Sequence, residues 1–560
     1  MQKLRQIKIK NKTAFFLVVI ASLSIASYLA ATRGLWSSLE TQSAQIAREF
    51  IQRKQFVVPY LNGVPDYEKP AFFFWIIAFF SILFGKINEL TARMPSLISV
   101  LIVLYSLRII SEKTGKKYIF PIASAIFITS PKIFWMSQVA RIDMLFSAFC
   151  FASSSLIFVY TAEKKEKYLN LSAFFSAIAF LLKGPAGLII PLFPAVIYAA
   201  LKKDKTLMKK IFSIKNIIIF SITAFPWYIA VTIKTNGNFF AKFFLSDNIG
   251  RFLGPSNLSI AKEFSKRQPF WFYIPHFIAG FFPWSIIYTA YLAKKVIKKD
   301  FDNTEIYFAI YSLFILFFFS IAGVKRSDYI IPMYGGCAVF LSNFILKEKK
   351  VWKILFAASI IITAIYIIIL SAYPLQEILK TSAVKNYFPQ QDIRKAELFL
   401  KHIKNYYVFL LFAFGINIFL SYKIISIKSS ENSILCSALI NTVLFAFSAF
   451  AIINFIDANR NINKFCSNIK PIIKNKKLCF YGFWNDEFVF YLDKKIHPFS
   501  PDKNISFEEL KAALKNNPNT MFLIRKKDLA KIKKNGIKPK FEYNKDTPKL
   551  YEIYLIGLRK

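Results

Sequence analysis

The feature that most constrains this chain is a succession of apolar runs, most of them about 17–25 residues long and bracketed by Lys and Arg. A bilayer core about 30 Å thick asks for runs of that length, and inside it backbone polar groups must be satisfied within helices. A single soluble core does not grow to 560 residues at 55% apolar content, so the runs are read as membrane spans. The 75 Lys and Arg against 32 Asp and Glu leave a formal charge of +43. That excess lies in short loops between the runs, where it sets topology and meets anionic lipid headgroups, so no nucleic-acid partner is expected.

Read in order, the spans fall near 13–31, 94–111, 118–131, 143–160, 168–182, 185–200, 213–233, 270–292, 304–322, 328–346, 352–373, 406–422 and 434–456, about thirteen helices in all. The first follows a basic start (Lys3, Arg5, Lys8, Lys10, Lys12), as a signal peptide would. It lacks a small-residue cleavage site and is long enough to span, so a retained helix is expected. The basic loops 112–117, 163–167, 202–215, 294–299 and 347–353 then share a side with the N-terminus, which the positive-inside rule makes cytoplasmic. Counting 71–85 as a span would reverse that pattern, so parity makes it an amphipathic helix at the outer interface. Segments 32–93, 234–269, 374–405 and 457–560 are left outside.

Composition changes after residue 456, dividing the chain into a helical membrane part, 1–456, and a small outer α/β domain, 457–560. Strands are expected at 478–483, 488–492, 520–524 and 551–558, with an amphipathic helix at 506–515. Cys150, Cys337 and Cys436 fall in apolar runs as packing residues. Cys466 and Cys479 lie in the outer tail, where either a disulfide or two free thiols is compatible with the sequence.

Ionisable residues collect at the outer ends of the spans. The first outer loop carries Glu40, a turn at Asn62-Gly63, then Asp66-Tyr67-Glu68-Lys69-Pro70. Asp143 follows Arg141 at the start of the fourth span, either as its ion-pair partner or as a functional carboxylate. Lys183-Gly184-Pro185 breaks two runs, as a tight turn or as a cation beside flexible backbone. Asp247-Asn248-Ile249-Gly250-Arg251 and Lys325-Arg326-Ser327-Asp328-Tyr329 complete the set. Basic residues in short outer loops run against the positive-inside rule, so Lys69, Lys183, Arg251, Lys325 and Arg326 are read as binding a phosphate or pyrophosphate. Glu40 and Asp143 would do acid/base work or hold a cation. Together they suggest transfer from a phosphorylated lipid carrier.

Spaced segments over about residues 34–335 resemble a known family: Gly34-Leu35-Trp36, Ala47-Arg48-Glu49, Val57-Val58-Pro59, Leu61-Asn62-Gly63, Tyr67-Glu68-Lys69-Pro70 and Ala92-Arg93-Met94-Pro95. Asp143, Lys183-Gly184, Phe225-Pro226-Trp227, Arg251-Phe252, Pro269 to Tyr273, Pro283-Trp284 and Lys325 with Tyr329 add to them. The pattern is similar to the GT-C fold membrane glycosyltransferases, in the bacterial branch of the 4-amino-4-deoxy-L-arabinose lipid A transferases, related to protein O-mannosyltransferases. The resemblance implies a polytopic helical protein of the bacterial inner membrane with about thirteen spans, outer interfacial helices and a periplasmic C-terminal domain. It implies an undecaprenyl-phosphate-linked sugar as donor and lipid A or another envelope glycolipid as acceptor. Carried over, Lys69, Arg251 and Tyr329 contact the donor phosphate, Asp143 is a catalytic-site carboxylate, and Glu68 is a metal or substrate ligand, which brings in a divalent ion as a possible cofactor. Lys183 and Lys325 join the phosphate set on charge alone.

The chain departs from the pattern in its first loop, where Leu39 stands at the family's aspartate position and Glu40 is assigned as the loop carboxylate. Asn248 stands where the arabinose enzymes carry a histidine linked to metal binding. Two rival readings are an O-glycosyltransferase of the same fold acting on protein or glycan, and a transporter or flippase of lipid-linked sugars. The last would place charges at mid-depth in interrupted helices rather than at span ends.

Overall fold

The computed structural model describes residues 12–250, 268–345, 351–370, 390–427, 429–498, 510, 519–536, 538–547 and 552–557. The apolar runs become helices: α1 (Lys12–Thr32), α4 (Glu89–Lys113), α5 (Ile119–Ile128), α7 (Ile142–Glu163), α8 (Lys167–Lys183), α9 (Ala186–Leu201) and α11 (Ile214–Lys234), with shorter α2 (Ser38–Arg53), α3 (Phe72–Leu83), α6 (Pro131–Ser137) and α10 (Lys205–Ile211) between them. Further apolar helices follow at Asn303–Ile321, Met333–Ile345, Val351–Leu370, Tyr407–Ile427 and Ser430–Phe447. Among the described residues seven helices are long and apolar enough to cross a bilayer, or nine if two bent pairs each count as one crossing. The protein is a polytopic α-helical membrane protein.

Those bent pairs show two expected spans to be broken helices. The run 118–131 breaks into α5 and α6 at 74°, because Ser130 before Pro131 is held extended (ψ 127°) and Pro131 restarts the helix. The run 270–292 breaks at 119° between Phe270–Gly280 and Trp284–Lys298, where Pro283 has no N–H with which to continue a helix. Gly280 at that corner is required by close approach: a Cβ there would sit 2.5 Å from the Tyr334 hydroxyl and 3.0 Å from Cβ of Lys132.

Helix α3 corrects a third expectation. Its twelve residues span about 18 Å, too short to cross, but it has no polar face. Phe73, Phe74, Ile77 and Ala78 are buried, Phe79, Ile82 and Leu83 are exposed, and the single hydroxyl, Ser81, is bonded to the carbonyl of Ile77. Just before it, Asn62 (φ 54°) and Gly63 (φ 82°) form the expected turn, joining the two-residue strands β1 (Tyr60–Leu61) and β2 (Val64–Pro65).

The tail builds a five-stranded sheet from β3 (Lys477–Tyr481), β4 (His497–Pro498), β5 (Thr520–Arg525), β6 (Phe541–Tyr543) and β7 (Ile553–Gly557), in the order β4-β3-β5-β7-β6. β3 is parallel to β4 and β5, while β7 is antiparallel to β5 and β6. The expected strand at 488–492 is instead the helix Asp486–Leu492, started by the Asn485 side chain accepting from Glu487 N–H at 2.8 Å. The expected helix at 506–515 lies outside the described residues apart from Leu510. Alternation along β3 sends Leu478 and Phe480 to the cluster holding Cys466, and Cys479 and Tyr481 to the opposite one. Both cysteines are buried free thiols on opposite faces, so the pairing open in the sequence is not made.

Candidate active site

Helix ends and the loops between them enclose a cavity of about 480 Å³ whose wall includes Leu39, Glu68, Lys69, Arg141, Asp143, Lys183, Asp247, Asn248, Arg326 and Tyr329. Six of the nine residues singled out from the sequence or the resemblance converge here: Glu68, Lys69, Asp143, Lys183, Arg326 and Tyr329. Arg251 lies outside the described residues.

Asp143 enters from the first turn of α7 and is 4% exposed. Its carboxylate meets Lys183 Nζ at 2.5 Å and Arg141 at 3.4 Å, so it is ion-paired and also faces the cavity. Lys183 closes α8, and its ammonium also lies 4.6 Å from the centre of the Tyr329 ring. Gly184, next in the chain, has φ +63° and packs so tightly that a Cβ would come 3.0 Å from the ring of Phe243. The turn and the cation are therefore one feature. Arg141 also pairs with buried Asp328, which accepts from Lys132 at 2.5 Å and thereby ties α6 to the loop carrying Arg326 and Tyr329.

Lys69 and Arg326 differ from Lys183 and Arg141 because neither side chain has a carboxylate within ion-pair distance among the described residues. Desolvation by the surrounding protein lowers the pKa of Lys69, an effect opposed by the nearby charges of Asp66, Glu68 and Asp143. Among the described residues, Lys69 and Arg326 are thus the cavity cations without a carboxylate partner. The sequence offers Lys325 beside Arg326, but the Lys325 ammonium turns to the carbonyls of Ala322 (2.6 Å) and Gln268 (3.1 Å), away from the cavity. Only the three-dimensional turn at Lys325-Arg326 decides which of the two faces inward.

Glu40 is placed outside this cavity. It is 1% exposed and lies between Arg93 (2.8 Å) and Arg33 (3.2 Å), while accepting the Ala140 N–H at 3.0 Å. The two guanidinium charges outweigh the burial that opposes ionisation and hold its pKa down to about 2. Arg93 is 0% exposed and donates as well to the carbonyls of Ala30, Arg33 and Gly34, so the cluster fastens the first outer loop to the peptide just before Arg141. Arg33 and Arg93 hold this carboxylate, and the sequence assigned a role to neither. The signal for Arg93 was the Ala92-Arg93-Met94-Pro95 match; Arg33 had none.

The cavity's carboxylates do not make a metal centre. Asp143 has an oxygen on Lys183 and another on Arg141, Asp247 meets Lys242 at 3.5 Å, and Glu68 is exposed on its loop. Among the described residues no three His, Cys, Asp or Glu side chains converge as ligands, and Asn248 donates its amide to the Phe243 carbonyl.

The helical membrane scaffold and its α/β tail form a fold found in other solved proteins. The chain shares that fold with the crystal structure of ArnT from Cupriavidus metallidurans bound to undecaprenyl phosphate, at a TM-score of 0.77, 17% identity, and coverage of 97% of this chain and 98% of that one. The apo form of the same protein matches with a TM-score of 0.74 at 16% identity, over 97% of each chain. In sequence, residues 68–229 match the family described as dolichyl-phosphate-mannose-protein mannosyltransferase. The undecaprenyl phosphate-alpha-4-amino-4-deoxy-L-arabinose arabinosyl transferase 1 of Proteus mirabilis (strain HI4320) is 27% identical over 61% of this chain and 60% of its own length. The corresponding transferase of Wigglesworthia glossinidia brevipalpis is 28% identical over 63% of each. The chain therefore spans somewhat under two thirds of the length of these relatives. The resemblance read from the motifs is the one all three comparisons return.

Proposed function

We propose that this protein transfers a sugar from an undecaprenyl-phosphate-type donor to lipid A or another envelope glycolipid, at the outer face of the bacterial inner membrane. The observation that carries the reading is the pair of uncommitted cations, Lys69 and Arg326, facing a cavity in which Asp143 and Lys183 are already paired. A leaving phosphate is a concentrated negative charge that such cations stabilise as it develops; Lys supplies a point charge and Arg a planar fork. The similar proteins named as arabinosyl transferases support the same donor class.

In the proposed step an acceptor oxygen attacks the anomeric carbon, and the new C–O bond forms as the sugar–phosphate C–O bond breaks. The electron pair of the broken bond leaves on polyprenyl phosphate, held by Lys69 and Arg326. A hydroxyl acceptor gives its proton to Asp143, whereas an ionised phosphate acceptor needs no base. Tyr329 and Lys183 line the donor side, Arg251 is assigned to the same phosphate on the resemblance, and Glu68 serves as a substrate ligand. Glu40, committed to Arg33 and Arg93, acts as a positioning residue. About thirteen crossings place residues 1–456 in the membrane, with the N-terminus cytoplasmic and residues 457–560 periplasmic.

Mass spectrometry of lipid A and envelope glycans from cells with and without the gene tests the reading: a missing sugar substituent on lipid A supports it, and unchanged glycolipids refute it. Lys69→Ala and Asp143→Asn are each expected to abolish transfer in folded protein, and full activity in either would remove that residue from the mechanism.

A further inference from the structure

A second cavity of about 500 Å³ lies where the first outer loop meets the C-terminal α/β tail. It stands back to back with the first. Leu39 and Ser43 of α2 face one cavity while Ser38 and Glu40 face the other, and Arg141 lines both. Nothing in the reaction described above uses the second cavity.

Its chemistry differs from that of the first. Three guanidinium groups (Arg33, Arg141, Arg460) face three carboxyl groups (Glu40, Asp486, Glu487) across it. Three indoles, of Trp36, Trp135 and Trp484, supply broad apolar surface. Asp486 is fully engaged, accepting from Ser38 at 2.6 Å, Gln42 at 2.9 Å and the Trp484 indole at 2.7 Å. Glu487 is not: it is 6% exposed, lines the cavity, and its carboxyl group has no hydrogen-bond partner among the described residues. A buried carboxyl group without a partner is costly unless a ligand satisfies it. Flat apolar rings beside a carboxyl group and guanidinium donors suit a ligand with both C–H faces and hydroxyl groups, a saccharide.

We propose that the second cavity holds the saccharide headgroup of the acceptor, seated against Trp484 and Glu487 so that its reacting oxygen reaches the first cavity past Arg141. This rests on the transfer reading above, and it makes the C-terminal tail part of the acceptor site.

The test uses the full chain in lipid nanodiscs and two probes measured separately by titration: undecaprenyl phosphate, and de-acylated lipid A, a water-soluble glucosamine disaccharide. Trp484→Ala and Glu487→Gln are expected to weaken disaccharide binding by about tenfold or more while leaving undecaprenyl phosphate binding within about twofold, and Lys69→Ala to do the reverse. Disaccharide binding that stays within about twofold in both tail variants, or is absent in the unmodified protein, overturns the proposal while leaving the donor reading intact. If undecaprenyl phosphate fails to bind the unmodified protein while the disaccharide still binds in a Trp484-dependent way, the donor reading falls and the saccharide site stands.

Discussion

Two glutamates show how far a residue's role depends on what surrounds it. Glu40 sits between two buried guanidinium groups and is held ionised, with its pKa down to about 2 from an ordinary 4.5. The stability it contributes is therefore fully present above about pH 4.5 and is lost as the pH falls toward 2. Glu40→Gln leaves Arg33 and Arg93 buried without a counter-charge and is expected to cost about 3–5 kcal/mol, read as a lower melting temperature in detergent at neutral pH. Glu487 has the opposite sign. Burial pushes its carboxyl group up to about 8, so the folded state keeps a proton that the unfolded state gives up, and stability declines as the pH rises from about 4.5 to 8. Glu487→Gln should flatten that decline, and melting curves at pH 5 and pH 8.5 would show whether it does. Neither assignment was legible in the sequence, where Glu40 was simply the acid nearest a missing aspartate and Glu487 lay just ahead of an expected strand.

At the level of elements, the corner between α8 and α9 carries the most consequence. Gly184 adopts φ +63° and ψ −140°, a region essentially confined to glycine, and it places Lys183 on Asp143. Gly184→Ala forces strain and presses on Phe243, with an expected cost of roughly 1–3 kcal/mol and a fall in transfer activity at unchanged expression; unaltered melting and activity would show that the corner is not needed. Such corners were half visible. The Lys-Gly-Pro and Asn-Gly signals fixed where the chain turns, because φ and N–H restrictions are local. The 119° bend at Pro283 was not foreseen, since hydropathy reads one apolar run on both sides of it.

For the whole molecule, the question is what joins the tail to the membrane helices. The Tyr491 hydroxyl accepts from Leu35 N–H at 2.8 Å and meets Glu89 at 3.0 Å; Asp457 accepts from Gly34 N–H at 2.8 Å and from the Trp36 indole at 2.6 Å. Asn62, at the hairpin turn, bonds both the carbonyl and the N–H of Ile496. Asp457→Ala would leave two donors of the first outer loop without their acceptor, each worth about 1–3 kcal/mol when buried. It is expected to increase protease cleavage near Gly34 and to reduce transfer; an unchanged cleavage pattern would argue that the tail does not hold this loop.

The amino-acid sequence by itself determined the membrane class, the helical runs, most of the tail's strands, and the set of outer-face residues from which the cavity is drawn. These follow from run length, charge placement and alternation, all local properties of the chain. Tertiary structure alone decided that Arg326 rather than Lys325 faces the cavity, that Glu40 is spent on two arginines, and that Trp484 and Glu487 join Arg33 and Arg141 around a second hollow. Those outcomes depend on which side chains meet across more than a hundred and sometimes four hundred positions of chain, as in the Arg33–Gln138 and Leu35–Tyr491 hydrogen bonds, and no periodicity or motif encodes such a meeting.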